Sequence, residues 1–257
     1  MFKFLFTSLS IRKFYGYSSI KSWSWCKDNF ENTLDVIQNK FEEYGEVIWH
    51  TRTKNVYKVT LPENLGGEVF AYKKTKVRKV FRYLLVSSSG FREMINFKKF
   101  QQLGLPVVEI AAGGETRENG LLRNTWLVTK FAQNYQSGLT LLDKSWELKK
   151  EFLMYNLPLI AKVHKDGCHH RGLHPGNLLY KKDGDNPMTC LWLDFGSCNY
   201  YPLPKIMLKK CFISDVKMLF DTMKLTKEER LEVIDFYLEN MPVFSISKEH
   251  FVNKTLS

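Results

Sequence analysis

Residues 170–177 read His-Arg-Gly-Leu-His-Pro-Gly-Asn, and Leu-Asp-Phe-Gly follows at 193–196. Between these motifs, an apolar run after Asn177 leads through a polar turn into a second apolar run that ends at Asp194. Two short strands joined by a polar turn are typical of a β-hairpin, whose open ends lie side by side. The sequence therefore predicts that Asn177 and Asp194 are neighbours. An amide oxygen and a carboxylate are ligands that Mg²⁺ accepts together with phosphate oxygens.

The first half of the chain has the pattern of an antiparallel sheet preceded by a helix. Residues 28–44 place apolar side chains among charges with helical spacing. Residues 62–67 contain Pro and Gly and are typical of a turn. Strands are predicted at 46–50, 55–61, 68–73 and 125–131.

A lysine and a glutamate in this half are candidates for a functional pair. Lys73 ends the third predicted strand, and Glu93 follows twenty residues later in a segment with helical spacing over residues 90–100. Lys74 is the competing lysine. Successive side chains of a strand point to opposite faces of the sheet, so Lys74 is predicted on the face opposite Lys73.

The composition favours an anionic partner. The chain has 257 residues, enough for one domain with two lobes or for two small domains, and its formal net charge is +11. Such a charge is typical of proteins that bind nucleotides, nucleic acids, anionic lipids or phosphorylated glycans, although an ordinary basic protein is an equal alternative. The basic and aromatic stretch at 74–83 fits the same partners or a solvated helix face. No RNA-binding signature or zinc finger accompanies it, so nucleic acid is not expected as a partner.

Cysteine usage and the N-terminal segment indicate a reducing compartment. The five cysteines are odd in number and form no Cys-x-x-Cys pair, as expected for reduced thiols in a cytosolic protein. The apolar start is short, precedes Arg12 and Lys13 and lacks a small-residue cleavage site, so a secretory signal is not expected. This segment suits either an interfacial membrane anchor or packing against the protein.

The paired motifs at 170–177 and 193–196 resemble the catalytic and metal-binding loops of protein-kinase-like phosphotransferases. Flanking segments are similar to those of the lipopolysaccharide-core kinases, which phosphorylate Kdo or heptose of the inner core. These segments are Arg92-Glu93, Leu-Gly-Leu-Pro-Val at 103–107, and Ser-Asp-Val-Lys-Met-Leu-Phe at 214–220. The resemblance covers roughly residues 46–240. Aminoglycoside and choline kinases share the two loops and are the alternative within the same fold.

The resemblance implies an α+β, protein-kinase-like fold with two lobes. A small antiparallel β lobe with one helix is expected over residues 46–131, and a larger helical lobe over 132–257. Residues 1–45 are expected to form a helical N-terminal extension. The resemblance also implies a cytoplasmic protein in peripheral contact with the cytoplasmic face of the inner membrane, where the core glycolipid of lipopolysaccharide is its substrate.

ATP and Mg²⁺ are the cofactors that the resemblance implies. Lys73 would contact the α- and β-phosphates, and Glu93 would hold the lysine in place. The adenine would lie against the backbone of Lys130, Phe131 and Ala132. This last placement follows from position in the fold and has no specific motif behind it.

In the second half, the resemblance assigns Asn177 and Asp194 to magnesium binding and catalysis, and Asp215 to bracing the catalytic loop. The departure from the family is Gly172, which occupies the position of an aspartate that orients the acceptor hydroxyl and takes its proton. General-base assistance is typically worth about 10²–10⁴-fold in rate. The nearest candidate for a substitute is His174. The chain is therefore predicted to be a slow kinase, a kinase with a substitute group, or a nucleotide-binding pseudokinase that acts as a scaffold, with activity favoured because the other ligand positions are filled.

Overall fold

The computed structural model describes residues 23–77, 88–119, 121–184, 186–201, 208–241 and 247–256. These residues divide into two compact units. The first unit contains the described residues up to Lys98 together with Val108–Phe131, and the second contains Lys99–Val107 and the described residues from Ala132 onward. The predicted interfacial segment at the N-terminus and residues 78–83 of the basic stretch lie outside the described residues.

The first unit is built on one antiparallel sheet. Its strands are β1 (Trp23–Cys26), β2 (Gly45–His50), β3 (Lys54–Thr60), β4 (Val69–Lys76), β5 (Ile110–Glu118) and β6 (Leu121–Lys130). They lie in the order β1-β5-β6-β4-β3-β2, and all neighbours are antiparallel. Helix α1 (Glu31–Tyr44) precedes β2, and helix α2 (Ser89–Gln102) begins in this unit after β4.

Helix α1 buries its apolar stripe against the sheet. Leu34, Ile37 and Phe41 recur at helical spacing and form one buried cluster with Phe70 and Tyr72 of β4. The ring centroids of Phe41 and Tyr72 are 5.2 Å apart, a distance typical of packed aromatic pairs. The helix and the sheet thus share one hydrophobic core.

The described part of the predicted N-terminal extension is therefore not separate from the sheet. The helix predicted at 28–44 forms as Glu31–Tyr44, but its apolar stripe belongs to the core of the first unit. Before it, Trp23–Cys26 is a strand that pairs with β5 and forms one edge of the sheet. The periodicity predicted the helix correctly, but it contained no information about the surface against which the helix packs.

The second unit is mainly helical. Its helices are α3 (Trp146–Lys165), α4 (Lys209–Thr222), α5 (Lys227–Val233), α6 (Asp235–Leu238) and α7 (Lys248–Leu256). Its strands are β7 (Gln136–Ser137), β8 (Cys168–His169), β9 (Leu178–Lys181), β10 (Thr189–Trp192) and β11 (Asn199–Tyr200), in two small sheets ordered β10-β9-β7 and β11-β8.

Helix α3 runs unbroken through Pro158. Proline removes the hydrogen bond to the carbonyl four residues earlier. Here that carbonyl belongs to Met154, an exposed residue, while Leu157 and Ile160 on the other side of the helix are buried in the core. The buried face of α3 therefore remains continuous across the proline.

The packing of α1 leads to a test of its place in the first unit. Ile37→Ala removes a fully buried side chain from the shared core, so we expect the free energy of unfolding to fall by about 2–5 kcal/mol in urea denaturation. Asn39→Ala, on the exposed face of the same helix, should change it by less than about 0.5 kcal/mol. Equal effects of the two substitutions would show that α1 does not contribute to the core.

Candidate active site

Lys73 and Glu93 form an ion pair in the first unit. Lys73 lies in the middle of β4, between Val56 of β3 and Leu127 of β6. Its Nζ is 2.8 Å and 3.0 Å from the two carboxylate oxygens of Glu93 on α2. The side chains are only 16% and 7% exposed. Because a charge-assisted contact to both oxygens fixes the ammonium group, the structure brings the predicted pair together in one defined position.

The competing lysine lies on the other face of the sheet. The Nζ of Lys74 is 5.1 Å from the ring centroid of Phe41, on the side covered by α1. The prediction from strand alternation is confirmed. Lys73, and not Lys74, is the partner of Glu93.

An apolar surface beside Lys73 was not predicted from the sequence. Trp49 of β2 lies opposite Val56, and Val56 lies opposite Lys73. Residues that are opposite each other in neighbouring strands share a face of the sheet, as do residues two apart in one strand, so Ala71 is on this face as well. Trp49 is 58% exposed. A flat aromatic base is a ligand that such a surface suits.

A β-bulge places Trp49 on this surface. The pairing of β2 with β3 shifts between Val47 and Trp49, which makes Ile48 an extra residue. Without the bulge, Ile48 would lie opposite Val56 and Trp49 would be displaced from the row. Strand periodicity in the sequence cannot show such an insertion.

Backbone hydrogen bonds restrict how the segment from Lys130 to Ala132 can bind a base. The amide nitrogen of Lys130 donates to the carbonyl oxygen of Glu109 at 2.8 Å, and that of Phe131 donates to Val69 at 2.9 Å. Because these two amides already donate hydrogen bonds within the protein, they are not available to a base. The predicted adenine contact with Lys130, Phe131 and Ala132 stays a prediction, and it would use the Ala132 amide or carbonyl oxygens.

In the second unit, the predicted hairpin forms and places Asn177 beside the end of β10. Strands β9 and β10 pair with Leu178 opposite Trp192, and the amide of Leu193 donates to the carbonyl oxygen of Asn177 at 2.9 Å. Asn177 and Asp194 therefore stand at the neighbouring open ends of the hairpin, and this prediction is confirmed.

The donor set at the hairpin ends fits magnesium. Asn177 Nδ2 donates to the carbonyl oxygen of Gly172 at 2.8 Å, which leaves the amide oxygen for a cation, and Asp194 supplies a carboxylate. Among the residues that the structure describes, no group of three His, Cys, Asp or Glu side chains is arranged to hold a metal. Magnesium commonly takes only one or two protein ligands and completes its shell with water and phosphate oxygens.

Two residues of the site have left-handed backbone conformations. Arg171 has φ of 62° and Asp194 has φ of 53°. This conformation costs a residue with a Cβ roughly 1–2 kcal/mol and persists only where the surroundings fix it. Asp194 is fixed between the hairpin and a 3₁₀ turn at Phe195–Ser197. The strained residues Arg171 and Asp194 thus lie on the two loops that carry the candidate magnesium ligands.

A buried carboxylate from α4 holds the loop at residues 170–177. Asp215 accepts hydrogen bonds from the backbone amides of His170 at 2.7 Å and Arg171 at 2.9 Å. His164 Nε2 lies 3.1 Å from the same carboxylate, and its Nδ1 lies 2.7 Å from the Tyr237 hydroxyl. Burial alone would raise the pKa of Asp215, but the hydrogen bond from His164 and the nearby imidazoles outweigh it and lower this pKa. Asp215 thus braces the loop as the resemblance implied.

The geometry of His174 argues against its role as the substitute base. Its Nδ1 accepts a hydrogen bond from the amide of Gly176 at 3.1 Å, so in the neutral ring the proton is on Nε2. Burial lowers the pKa of His174, which favours this neutral form. Nε2 is therefore a donor, able to hold an oxygen but not to take its proton.

Gly172 has a backbone that a larger residue can adopt. It is not among the residues with positive φ. A Cβ at this position would lie 3.1 Å from Ser197 Oγ and 3.7 Å from Asn177 Nδ2. The first contact requires a small movement of one hydroxyl group. The missing aspartate therefore does not reflect a conformation reserved for glycine.

Comparisons with known proteins agree with the geometry of both units. The sequence profile of the lipopolysaccharide kinase (Kdo/WaaP) family matches residues 52–237, more than half of the chain. A solved structure described as WaaP in complex with acyl carrier protein is similar with a TM-score of 0.63 and 14% sequence identity, covering 91% of this chain and 99% of that chain. No curated protein sequence matches significantly. The predicted family, the protein-kinase-like α+β fold and the kinase class are confirmed.

The buried imidazole of His170 predicts an acid-sensitive fold. Burial lowers the pKa of His170 from 6.5 to about 4. Between these values the unfolded chain binds a proton that the folded chain does not, so the free energy of unfolding should fall by about 3 kcal/mol as the pH drops from 6.5 to 4. In urea denaturation across this range, His170→Gln should flatten the dependence. His250→Gln, at an exposed position of α7, should leave it unchanged, and equal slopes for both variants would contradict the argument.

Proposed function

The chain belongs to the lipopolysaccharide kinase (Kdo/WaaP) family, and from that premise we propose that it transfers the γ-phosphoryl group of ATP to a hydroxyl of Kdo or heptose in the inner core. The observation that supports ATP as the donor is the ion pair of Lys73 with Glu93, which holds an ammonium group on the face of the sheet that also carries Trp49 and Val56. Phosphoryl transfer depends mainly on positioning and charge stabilisation, and a fixed lysine supplies both for the α- and β-phosphates.

In this proposal, Asn177 and Asp194 hold Mg²⁺ through one amide oxygen and one carboxylate. The bound ion would neutralise charge on the phosphates. The chain itself positions the two ligands: the hairpin register sets their separation, and the hydrogen bond from Asn177 to Gly172 orients the amide. Both ligands therefore depend on backbone contacts that exist before any ion binds.

Gly172 leaves the acceptor hydroxyl without a carboxylate of the chain to take its proton. We therefore propose a slow enzyme, because the positioning groups are present and only the base is missing. The alternative is a pseudokinase that binds nucleotide and acts as a scaffold. The intact Lys73–Glu93 pair and the hairpin ends support activity, since every position that transfer needs is filled except that of the base.

We propose that the protein works in peripheral contact with the cytoplasmic face of the inner membrane, where the core glycolipid is assembled. The net charge of +11 supports attraction to anionic headgroups. Within the described ranges, no helix has both the length and the hydropathy to cross a bilayer. The basic stretch at 74–83 adds to this charge, and its described part includes the exposed Lys76 at the end of β4.

Nucleotide binding is tested by thermal unfolding with ATP and Mg²⁺. Binding to the folded state at one hundred times Kd stabilises it by about 2.7 kcal/mol, so the wild type should show a saturable rise in Tm. Lys73→Met should weaken the apparent affinity at least about tenfold, because it removes a contact to the phosphates. Lys74→Met is the matched control on the opposite face and should retain the shift. No shift in the wild type at any concentration would exclude the kinase function.

Phosphoryl transfer is tested with γ-labelled ATP and core glycolipids that carry Kdo alone or Kdo with heptose. Gly172→Asp should raise turnover by at least about 10²-fold, because it restores the base. Gly172→Asn has the same size without a carboxylate and should give no such gain. Binding without transfer in the wild type and in Gly172→Asp would favour the scaffold over the kinase.

A further inference from the structure

The missing side chain at Gly172 leaves a polar niche in the catalytic loop. The three atoms nearest to the position of a Cβ are Ser197 Oγ at 3.1 Å, Asn177 Nδ2 at 3.7 Å and His170 Nδ1 at 3.8 Å. All three belong to polar side chains, and Gly172 itself is partly exposed. The position of an aspartate side chain is therefore bordered by an amide NH₂ and an imidazole ring, which can donate hydrogen bonds, and by a hydroxyl oxygen whose proton is donated to the His170 carbonyl.

His170 supplies a second, independent observation. Its side chain is almost fully buried, and neither ring nitrogen has a hydrogen-bond partner among the described residues. Buried polar nitrogens without partners are rare and call for an explanation such as a bound water or ligand. One of these nitrogens is Nδ1, which lines the niche. Asn177 Nδ2 uses one hydrogen for Gly172 and keeps a second.

We propose that this niche binds a carboxylate that is not part of the chain, and that this carboxylate takes the proton of the acceptor hydroxyl. A carboxylate only accepts hydrogen bonds, which matches the second N–H of the Asn177 amide and an N–H of the His170 ring; the Ser197 hydroxyl donates its proton to the His170 carbonyl oxygen instead. The inference rests on the proposed function and deepens it, because it names the group that replaces the missing aspartate.

With a carboxylate bound in the niche, phosphoryl transfer to the acceptor hydroxyl proceeds as follows. The acceptor oxygen forms a bond to the γ-phosphorus, the bond from that phosphorus to the β–γ bridging oxygen breaks, and ADP leaves. The acceptor proton passes to an oxygen of the bound carboxylate and from there to water. No oxidant or reductant is needed.

Two kinds of molecule can supply the carboxylate that binds in the niche. Kdo is a sugar acid, so an acceptor that contains Kdo brings carboxylates to the site, whereas heptose is neutral. A small free carboxylate is the other source. If the acceptor supplies the group, reduction of its carboxyl groups to alcohols should lower wild-type turnover at least about tenfold, within the range of general-base effects. If the source is free, the native and reduced acceptors should react equally slowly until a carboxylate is added.

Sodium formate is the probe, with sodium chloride at the same ionic strength as the control. We expect formate to raise wild-type turnover saturably, by at least about tenfold with the reduced acceptor. Gly172→Ala puts a methyl group into the niche and should abolish the response. Gly172→Asp carries its own carboxylate and should be fast with both acceptors and insensitive to formate. Thermal unfolding of each variant checks that it is folded.

Direct measurement of formate binding does not depend on turnover, so it tests the niche separately from the kinase activity. Carbon-13 NMR of labelled formate should show saturable binding to the wild type and none to Gly172→Ala. If Gly172→Asp transfers phosphate but formate neither binds to nor accelerates the wild type, the inference is overturned and the function stands. If formate binds but no variant transfers phosphate, the role of the carboxylate as a base is overturned together with the function.

Discussion

The buried carboxylate of Asp215 is the constraint on which the loop at residues 170–177 depends. It accepts the backbone amides of His170 and Arg171 and is paired with His164, whose ring stacks on Phe212 with centroids 4.4 Å apart. Burying a charge is costly unless it is paired and hydrogen-bonded, and here two backbone amides and one imidazole bond to the same carboxylate. The arrangement compensates for the left-handed backbone of Arg171. The loop is thus positioned by α4, which carries Asp215, and by α3, which carries His164.

This dependence explains why the loss of the aspartate at 172 leaves the loop intact. The loop is held by Asp215, by the hydrogen bond from Asn177 Nδ2 to the Gly172 carbonyl, and by Ser197 Oγ donating to the His170 carbonyl at 2.9 Å. Each of these contacts involves backbone atoms of the loop, and none requires a side chain at 172. The residue that would take the proton and the contacts that build the loop are therefore separate.

The residues that sequence reasoning located correctly are those that belong to local patterns. The hairpin between Asn177 and Asp194 followed from two apolar runs and a polar turn, and the face of Lys73 followed from strand alternation. The features that the sequence patterns did not predict depend on contacts between residues far apart in the chain or on details of hydrogen bonding. The β-bulge at Ile48, which brings Trp49 beside Val56, leaves no periodic signal. The pairing of Trp23–Cys26 with β5 joins segments far apart in the chain.

The hydrogen bonding of His174 bears on its predicted role as a substitute base. A histidine two residues from a missing base is an obvious substitute in the sequence, but its Nδ1 already accepts the Gly176 amide. Since a neutral imidazole has one donor and one acceptor nitrogen, this single backbone contact makes the other nitrogen a donor. A proton acceptor must then come from elsewhere. In our proposal, this acceptor lies in the polar niche at Gly172, beside the Asn177 amide and the His170 ring.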